Sequence, residues 1–326
     1  MPTLAEGDTA AFAARLDRLR RDAGIPGLVA VVARGDQIVW QEGFGYADEA
    51  RQRPVTAQTS FHLASLTKPF TSIVLMRLVE EGRVSLEDPV SMYGIAVNSP
   101  GVVRVKHLLT HTSEGEPGSH YRYNGDRYAL LDQVIVKGAG HTVAELIVKQ
   151  IIHPLGLAQT APNPQSGPDF ELTGYDRAHF MAGMAQGFSS DGRSREAYPA
   201  SFSGAAGLVS SAADMVRFSN ALDTPALVSG ATLEKIFTPA TSDSGKRLPY
   251  GLGWFVQQYG ETRILWHYGF WTANSSLIIK VPDQGLTFVL LANTDMLSRP
   301  YNLGADEDVR RSPYARAFLE VFARTS

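Results

Sequence analysis

The 326-residue sequence contains no cysteine. Disulfides, thiolate nucleophiles and cysteine-ligated metals are therefore excluded, while export is permitted without being required. Long apolar runs are also missing: none reaches the roughly 18 residues that a membrane-spanning helix needs, so no integral membrane segment is expected. Excess positive charge is absent as well. Thirty Lys and Arg against 33 Asp and Glu give a net charge of −3, which provides no field to attract nucleic acid. There is no G-x-S-x-G, so the nucleophile elbow of an α/β-hydrolase is unsupported, and no glycine-rich phosphate loop. The N-terminus "MPTLAEGDTA" has neither a basic region nor an apolar one after it. The chain thus reads either as cytoplasmic or as an exported protein whose signal peptide has been removed. What remains is ordinary for a globular protein: 44% hydrophobic and 19% charged residues.

Residues 9–23 carry an amphipathic helical pattern through Phe12, Leu16 and Leu19, stopped by Gly24 and Pro26. Two β-rich runs follow around "RGD", a hairpin signal. Helical patterns then dominate to about residue 160, with "YALLDQVIVKGAG" read as one helix, and residues 161–203 read as a loop rich in Pro, Gly, Ser and Asp. Four strand candidates crowd the C-terminal part, "YGLGWFVQQYG", "RILWHYGF", "SSLIIKVP" and "LTFVLLANT", before a last helix. Strands at both ends and helices between them predict an α+β fold: an antiparallel sheet built from both chain ends, flanked by helices, with a mostly helical insertion. The expected division is residues 1–62 and 206–326 for the sheet domain and 63–205 for the helical one, with the active site at their interface.

The stretch "FHLASLTKPFTS" places Ser65 three residues before Lys68, at the expected start of a helix. Side chains at i and i+3 share a face, with Cβ atoms about 5–6 Å apart, so the lysine can reach the hydroxyl. A serine hydroxyl needs a base to become a nucleophile, and a lysine whose pKa is lowered can be that base. The plainer reading is an N-cap serine with a coincidental lysine. His107 and His111 have the spacing of a zinc pair, but Leu108 stands where a zincin has glutamate. No third ligand stands out, so neither a metal nor any other cofactor is expected. Asp191 and Glu196 read as solvated loop carboxylates.

The context of the Ser–Lys pair goes further. "FHLASLTKPFTSIVLMRLVEEGRVSLEDPV" resembles the serine β-lactamase and penicillin-binding-protein superfamily, in particular its class C β-lactamase-like branch with family VIII carboxylesterases and D-aminopeptidases. "RVKHLLTHTSEG" resembles that family's "LLTHTSGL", with Glu114 where glycine is usual. "YRYNGDRYALL" resembles "FxYSNxxYxLLG", and the similarity runs in order over residues 10–325. It implies a β-lactamase/transpeptidase-like fold and an acyl-enzyme mechanism. Ser65 would be the nucleophile, Lys68 its base and Tyr123 the proton relay, with Tyr121 a second candidate for that relay. The oxyanion hole would be the N–H groups of Ser65 and Phe270. The family's Y-x-N asparagine falls on Gly125, so either the adjacent Asn124 takes over its amide role or that role is lost. The third motif is His267-Tyr268-Gly269, in place of K-T-G. Tyr121, Asn124, His267, Tyr268, Gly269 and Trp271 are the expected substrate-binding residues. Without the K-T-G lysine to pair with a substrate carboxylate, and with Phe270 and Trp271 adding apolar surface, a neutral ester is the expected substrate and carboxylesterase the expected activity. A β-lactamase, a D-amino-acid amidase or peptidase, and a catalytically inactive sensor are the alternatives. The partner is thus a small ester or amide; the oligomeric state is left open.

Overall fold

A computed structural model describes residues 6–165 and 167–323. In chain order, α1 (Glu6–Asp22) precedes the hairpin β1 (Gly27–Arg34) and β2 (Gln37–Gly45), and β3 (Ser60–His62) leads into α2 (Thr67–Glu80). Short helices α3 (Val105–Leu109), α4 (Gly125–Ala129), α5 (Leu131–Ala139), α6 (Val143–Ile147) and α7 (His153–Leu155) follow, then β4 (Ala161–Pro162), α8 (Arg177–Gly183) and β5 (Leu208–Ser211). Helices α9 (Ala212–Ala221) and α10 (Gly230–Ile236) precede the meander β6 (Phe255–Tyr259), β7 (Thr262–Trp271), β8 (Asn274–Val281) and β9 (Leu286–Ala292). Helices α11 (Leu303–Asp306) and α12 (Pro313–Phe322) close the chain.

Six strands form one antiparallel sheet in the order β2-β1-β9-β8-β7-β6, so the two chain ends do share a sheet. Its centre is covered on both faces, and the period of two in a strand sorts the side chains between them. Val29, Val31 and Ala33 of β1, with Ile278, Val289 and Leu291, join one core together with α2 and α9. Leu28, Ala30 and Val32, with Leu277, Ile279, Phe288 and Leu290, join the other together with α1 and α12. This double burial explains why β8 and β9 read as continuous apolar runs rather than as alternating ones. On the α1/α12 side Phe318 stacks on Phe288 with centroids 4.6 Å apart, and Phe12 meets Phe322 edge-on at 5.1 Å. On the other side Phe70 of α2 stacks on Phe218 of α9 at 3.8 Å.

Three features differ from the sequence reading. A second sheet, β3-β5-β4, is built from strands of two to four residues, too short to show a periodic pattern. The 161–203 stretch holds β4, a 3₁₀ turn at Pro168–Thr173 and α8 rather than plain loop. "YALLDQVIVKGAG" is two helices, α4 and α5, meeting at Leu130. Among the described residues no helix is long and apolar enough to cross a membrane.

The stacked face of Phe318 is fully buried, so Phe318→Ala is expected to lower the unfolding free energy by about 3–5 kcal/mol. Urea unfolding followed by circular dichroism checks this. A loss under about 1 kcal/mol would mean that α12 does not seal the sheet.

Candidate active site

Strand β3 delivers the chain to a turn in which Ala64 has φ +49°, the left-handed region that a residue with a Cβ avoids. Such a conformation costs about 1–3 kcal/mol and persists only where its surroundings enforce it. Here the Ala64 N–H donates to His62 Nδ1 at 3.1 Å, and the Ala64 carbonyl accepts from Thr67 Oγ1 at 2.8 Å. The Leu63 N–H donates to the Leu208 carbonyl at 2.8 Å, and the Leu63 carbonyl accepts from Ser276 Oγ at 2.8 Å. Ser65 therefore sits on a 3₁₀ turn, Ala64–Leu66, and α2 starts only at Thr67 with Leu66 as its N-cap. No side chain caps either element. The expectation that Ser65 opens and caps the helix is corrected: its hydroxyl is free of that duty because the turn is held from outside.

Lys68 lies in the first turn of α2, 1% exposed. Its Nζ donates to Ser65 Oγ at 2.9 Å and to the Ala205 carbonyl at 3.0 Å. No carboxylate forms a salt bridge with it among the described residues. Burial lowers its pKa to about 7, opposed by the field of Asp126. The Tyr123 and Tyr128 rings lie 5.0 and 5.3 Å from Nζ, and Tyr128 Oη donates to the Lys68 carbonyl at 3.1 Å.

Tyr123 lines the same cleft as Ser65. Its hydroxyl is buried without a hydrogen-bond partner, although the Ser65 and Tyr268 hydroxyls are near enough to influence its acidity. Burial holds this phenol well above its ordinary pKa, so it is neutral. His111 backs it, with the rings stacked at 4.3 Å. His111 has φ +55°, takes the Asn124 N–H on Nδ1 at 3.1 Å and the Arg122 N–H on its carbonyl at 2.8 Å. It thereby shapes the tyrosine loop. Burial, with Lys68 adding to it, keeps its imidazole neutral. His107 Nδ1 likewise accepts a backbone N–H, that of Arg104 at 3.1 Å, so the two imidazoles serve the backbone separately.

Asn124 is the N-cap of α4: its Oδ1 accepts the Arg127 N–H at 2.9 Å and its Nδ2 donates to Glu114. Glu114 also pairs with Arg122 at 3.0 Å. The Asn124 amide is thus committed away from Lys68. At position 125 a Cβ would stand 3.9 Å from Lys68 Nζ. The backbone there points toward the lysine, but glycine supplies no amide.

Strand alternation divides the third motif. Tyr268 and Phe270 face the cleft, Phe270 with 44% exposure. His267, Gly269 and Trp271 lie on the opposite side of β7 and do not line the cleft. His267 is fully buried. Its Nδ1–H donates to the Tyr268 carbonyl at 2.7 Å, which leaves Nε2 to accept from Tyr250 Oη at 2.8 Å. Burial, then Lys68, depresses its pKa to about 3. Trp271 meets the His62 ring edge-on at 5.9 Å. A Cβ on Gly269 would come 2.1 Å from the Leu63 carbonyl and 2.2 Å from Ser276 Oγ. The glycine therefore admits the Leu63–Ser65 turn; β6 pairs with β7 only from Thr262 to Trp266, so beside Gly269 the strand has β8 on one side and no described strand on the other.

The cleft, about 500 Å³, is lined by Ser65, Tyr121, Tyr123, Tyr268 and Phe270, and on its far wall by Asn302, Gly304 and Glu307. Tyr121 Oη donates to the Gly304 carbonyl at 2.9 Å, tying the two walls together. The far-wall residues escaped the sequence reading. Their signal was only a turn-forming "YNLG" before the last helix, which carries no chemistry. A larger hollow of about 670 Å³, walled by Arg53, Met181, Met184 and Tyr198, is not lined by Ser65 or Tyr123.

The Beta-lactamase family model matches residues 12–309. Penicillin-binding protein 4* of Bacillus subtilis (strain 168) is 28% identical over 306 residues, covering 81% of this chain and 67% of that protein. Esterase EstB of Burkholderia gladioli is 38% identical over 122 residues, 34% of this chain and 31% of that one. The chain thus matches 67% of the length of the first of these curated relatives and 31% of the second. The octameric penicillin-binding protein homologue from Pyrococcus abyssi superposes with a TM-score of 0.80 at 23% identity, over 96% of this chain and 77% of that one. It shows the fold.

A free-base Lys68 is the fraction above its pKa of about 7. Ser65 reactivity toward an alkyl fluorophosphonate is therefore expected to plateau above about pH 8, to halve near pH 7 and to keep falling below it. A limb centred above pH 9, where an ordinary lysine titrates, would exclude Lys68 as a desolvated base.

Proposed function

We propose, from the premise that this chain belongs to the Beta-lactamase family, a family of serine hydrolases, that it hydrolyses carboxylic esters through an acyl-enzyme on Ser65. The observation that carries the reading is the 2.9 Å contact between Ser65 Oγ and the Nζ of a buried lysine without a carboxylate partner. Lys68 takes the proton as Ser65 Oγ attacks the carbonyl carbon. The oxyanion is received by the N–H groups of Ser65 and Phe270, the type of contact whose loss costs about 10²–10³ in rate. The proton passes through the Tyr123 hydroxyl to the departing alkoxide, and the C–O bond to the leaving group breaks. Water then attacks the acyl-enzyme, with Tyr123 and Lys68 as its base, and returns the proton to Ser65.

Two features favour an ester over a carboxylate-bearing β-lactam or an amide. The walls around Ser65 are aromatic: Tyr121, Tyr123, Tyr268 and Phe270. The one arginine at the cleft, Arg122, already pairs with Glu114, so a substrate carboxylate must compete for it. The esterase among the relatives agrees with this preference. A β-lactamase or D-amino-acid amidase shares the same first step and is the second reading; a sensor with a silent site is the third.

Side-by-side turnover of a short p-nitrophenyl ester, a chromogenic cephalosporin and a D-amino-acid anilide decides among them. The ester is expected to be preferred by at least about tenfold, and Ser65→Ala is expected to reduce its turnover by about 10³ or more while leaving the melting curve unchanged. Preference for the cephalosporin by orders of magnitude would reverse the ranking. A Ser65→Ala protein with wild-type turnover would remove the mechanism altogether.

A further inference from the structure

Apart from Ser65, the hydrogen bond that fixes the Lys68 amine among the described residues is to the Ala205 carbonyl. The position of that carbonyl is thus a condition of the Ser65–Lys68 contact. Ala205 lies at the tip of a tight turn in which the Ser203 N–H donates to the Ala206 carbonyl at 2.8 Å and the Ala206 N–H returns to Ser203 at 3.2 Å. At the neighbouring tip residue, the Gly204 N–H is held by both carboxylate oxygens of Asp132, at 3.0 and 3.1 Å. The Gly204 carbonyl accepts from Thr71 Oγ1 at 2.8 Å. The seat is tight: a Cβ on Gly204 would stand 2.5 Å from Asp132 Oδ1 and 2.8 Å from Thr71 Cγ2. Asp132 itself follows the paired Leu130 and Leu131, where the related pattern "LLG" carries glycine. The carboxylate is thus a feature of this chain, placed one residue from the atom that orients the lysine.

We propose that Asp132 is a positioning residue for Lys68, its ionised carboxylate clamping the Gly204–Ala205 turn so that the Ala205 carbonyl meets Nζ. The inference rests on the reading of Ser65 and Lys68 as nucleophile and base. An anionic acceptor binds an N–H about twice as strongly as a neutral one, so protonation of Asp132 loosens the clamp. Burial, opposed by the Gly204 N–H and reinforced by Asp169, raises its pKa to about 6. The groups facing it are Asp169 from the 168–173 turn, the neutral phenol of Tyr128 on α4, the Thr71 hydroxyl on α2 and the Gly204 N–H. The sign follows directly. Above about pH 6 the clamp is ionised and firm, and below it Asp132 takes up a proton, a second inactivating protonation beyond that of Lys68 near pH 7.

The test follows Ser65 labelling by an alkyl fluorophosphonate, read by intact mass from about pH 5 to 9, in wild type, Asp132→Asn and Asp132→Ala. The Ser65 Oγ–P bond forms as fluoride leaves, so no natural substrate is required. In the wild type the log-rate slope is expected to steepen from one to two below about pH 6. In Asp132→Asn, which cannot titrate and stands in for the protonated carboxyl, the slope is expected to stay at one and the pH 8 rate to fall at least about tenfold. In Asp132→Ala the pH 8 rate is expected to fall at least about tenfold. Identical slopes in wild type and Asp132→Asn overturn the inference, as does Asp132→Ala labelling within twofold of wild type. The Asn variant carries the test if the Ala variant fails to fold. Label on a Ser65→Ala control, or none on wild type, overturns the nucleophile reading and this inference with it. Ser65-specific label that is indifferent to Asp132 overturns the inference alone.

Discussion

The structure around the cleft is organised by one constraint: an amine, Lys68 Nζ, is buried without an anionic partner. A buried ammonium is costly unless it is paired, and here only a hydroxyl and a carbonyl reach it. The neighbours are chosen accordingly. His111 and His267 flank the lysine as neutral imidazoles, each with its tautomer fixed by a backbone group, and Tyr123, Tyr128 and Tyr250 are neutral phenols. Each of these is kept neutral by the same burial that lowers the pKa of the lysine. A single carboxylate inside this shell would turn the amine into a fixed ammonium, unfit for the role of base proposed for it. Asp126, the carboxylate whose field does reach Lys68, sits on an exposed residue, where solvent screens it.

The second requirement is that a serine be presented to this amine, and it is met by tertiary contacts rather than by local preference. Ala64 is held in a left-handed conformation by bonds from His62, Thr67 and, one residue earlier, Leu208 and Ser276. Strand β7 passes so close that only a residue without a Cβ fits at 269. The same strand that seats the turn then turns Tyr268 and Phe270 toward the cleft. Stability of the sheet and geometry of the Ser65 turn are therefore one property: the β7–β8 ladder cannot shift without releasing the Leu63 carbonyl.

What could be read in advance follows from this division. The α+β architecture, with a sheet shared by both chain ends, was legible because the flanking helices and the C-terminal strands each carry a strong apolar pattern. The Ser65–Lys68 proximity was legible because three residues along a helical turn bring two side chains together whatever surrounds them. Positive φ at Ala64 was not, since nothing in "HLASL" favours it and long-range contacts impose it. The short β3-β5-β4 sheet was not, because strands of two to four residues show no period. The sides of His267, Gly269 and Trp271 were in principle available from alternation alone. A motif match treats its residues as a set, whereas a strand sends alternate members to opposite faces. Glu114 is a similar case: a departure from the related pattern that gains its meaning only when its carboxylate is seen between Asn124 and Arg122.

The altered tyrosine loop bears on which bond such a site can break. Expelling an amine requires a proton delivered to nitrogen as the C–N bond opens, whereas an alkoxide departs with less help. Around Lys68 the side chains that can donate a proton are few. Asn124 is occupied as a helix cap, position 125 has no side chain, and His267 faces the other side of β7 with both nitrogens engaged. That leaves the Tyr123 phenol, buried and weakly acidic, as the donor nearest the serine. Weakly acidic phenols, aromatic walls and an arginine already paired with Glu114 are the features on which the proposal of an ester substrate rests. The departures at Glu114 and Gly125 thus support that proposal through charge and proton supply rather than through the shape of the cleft.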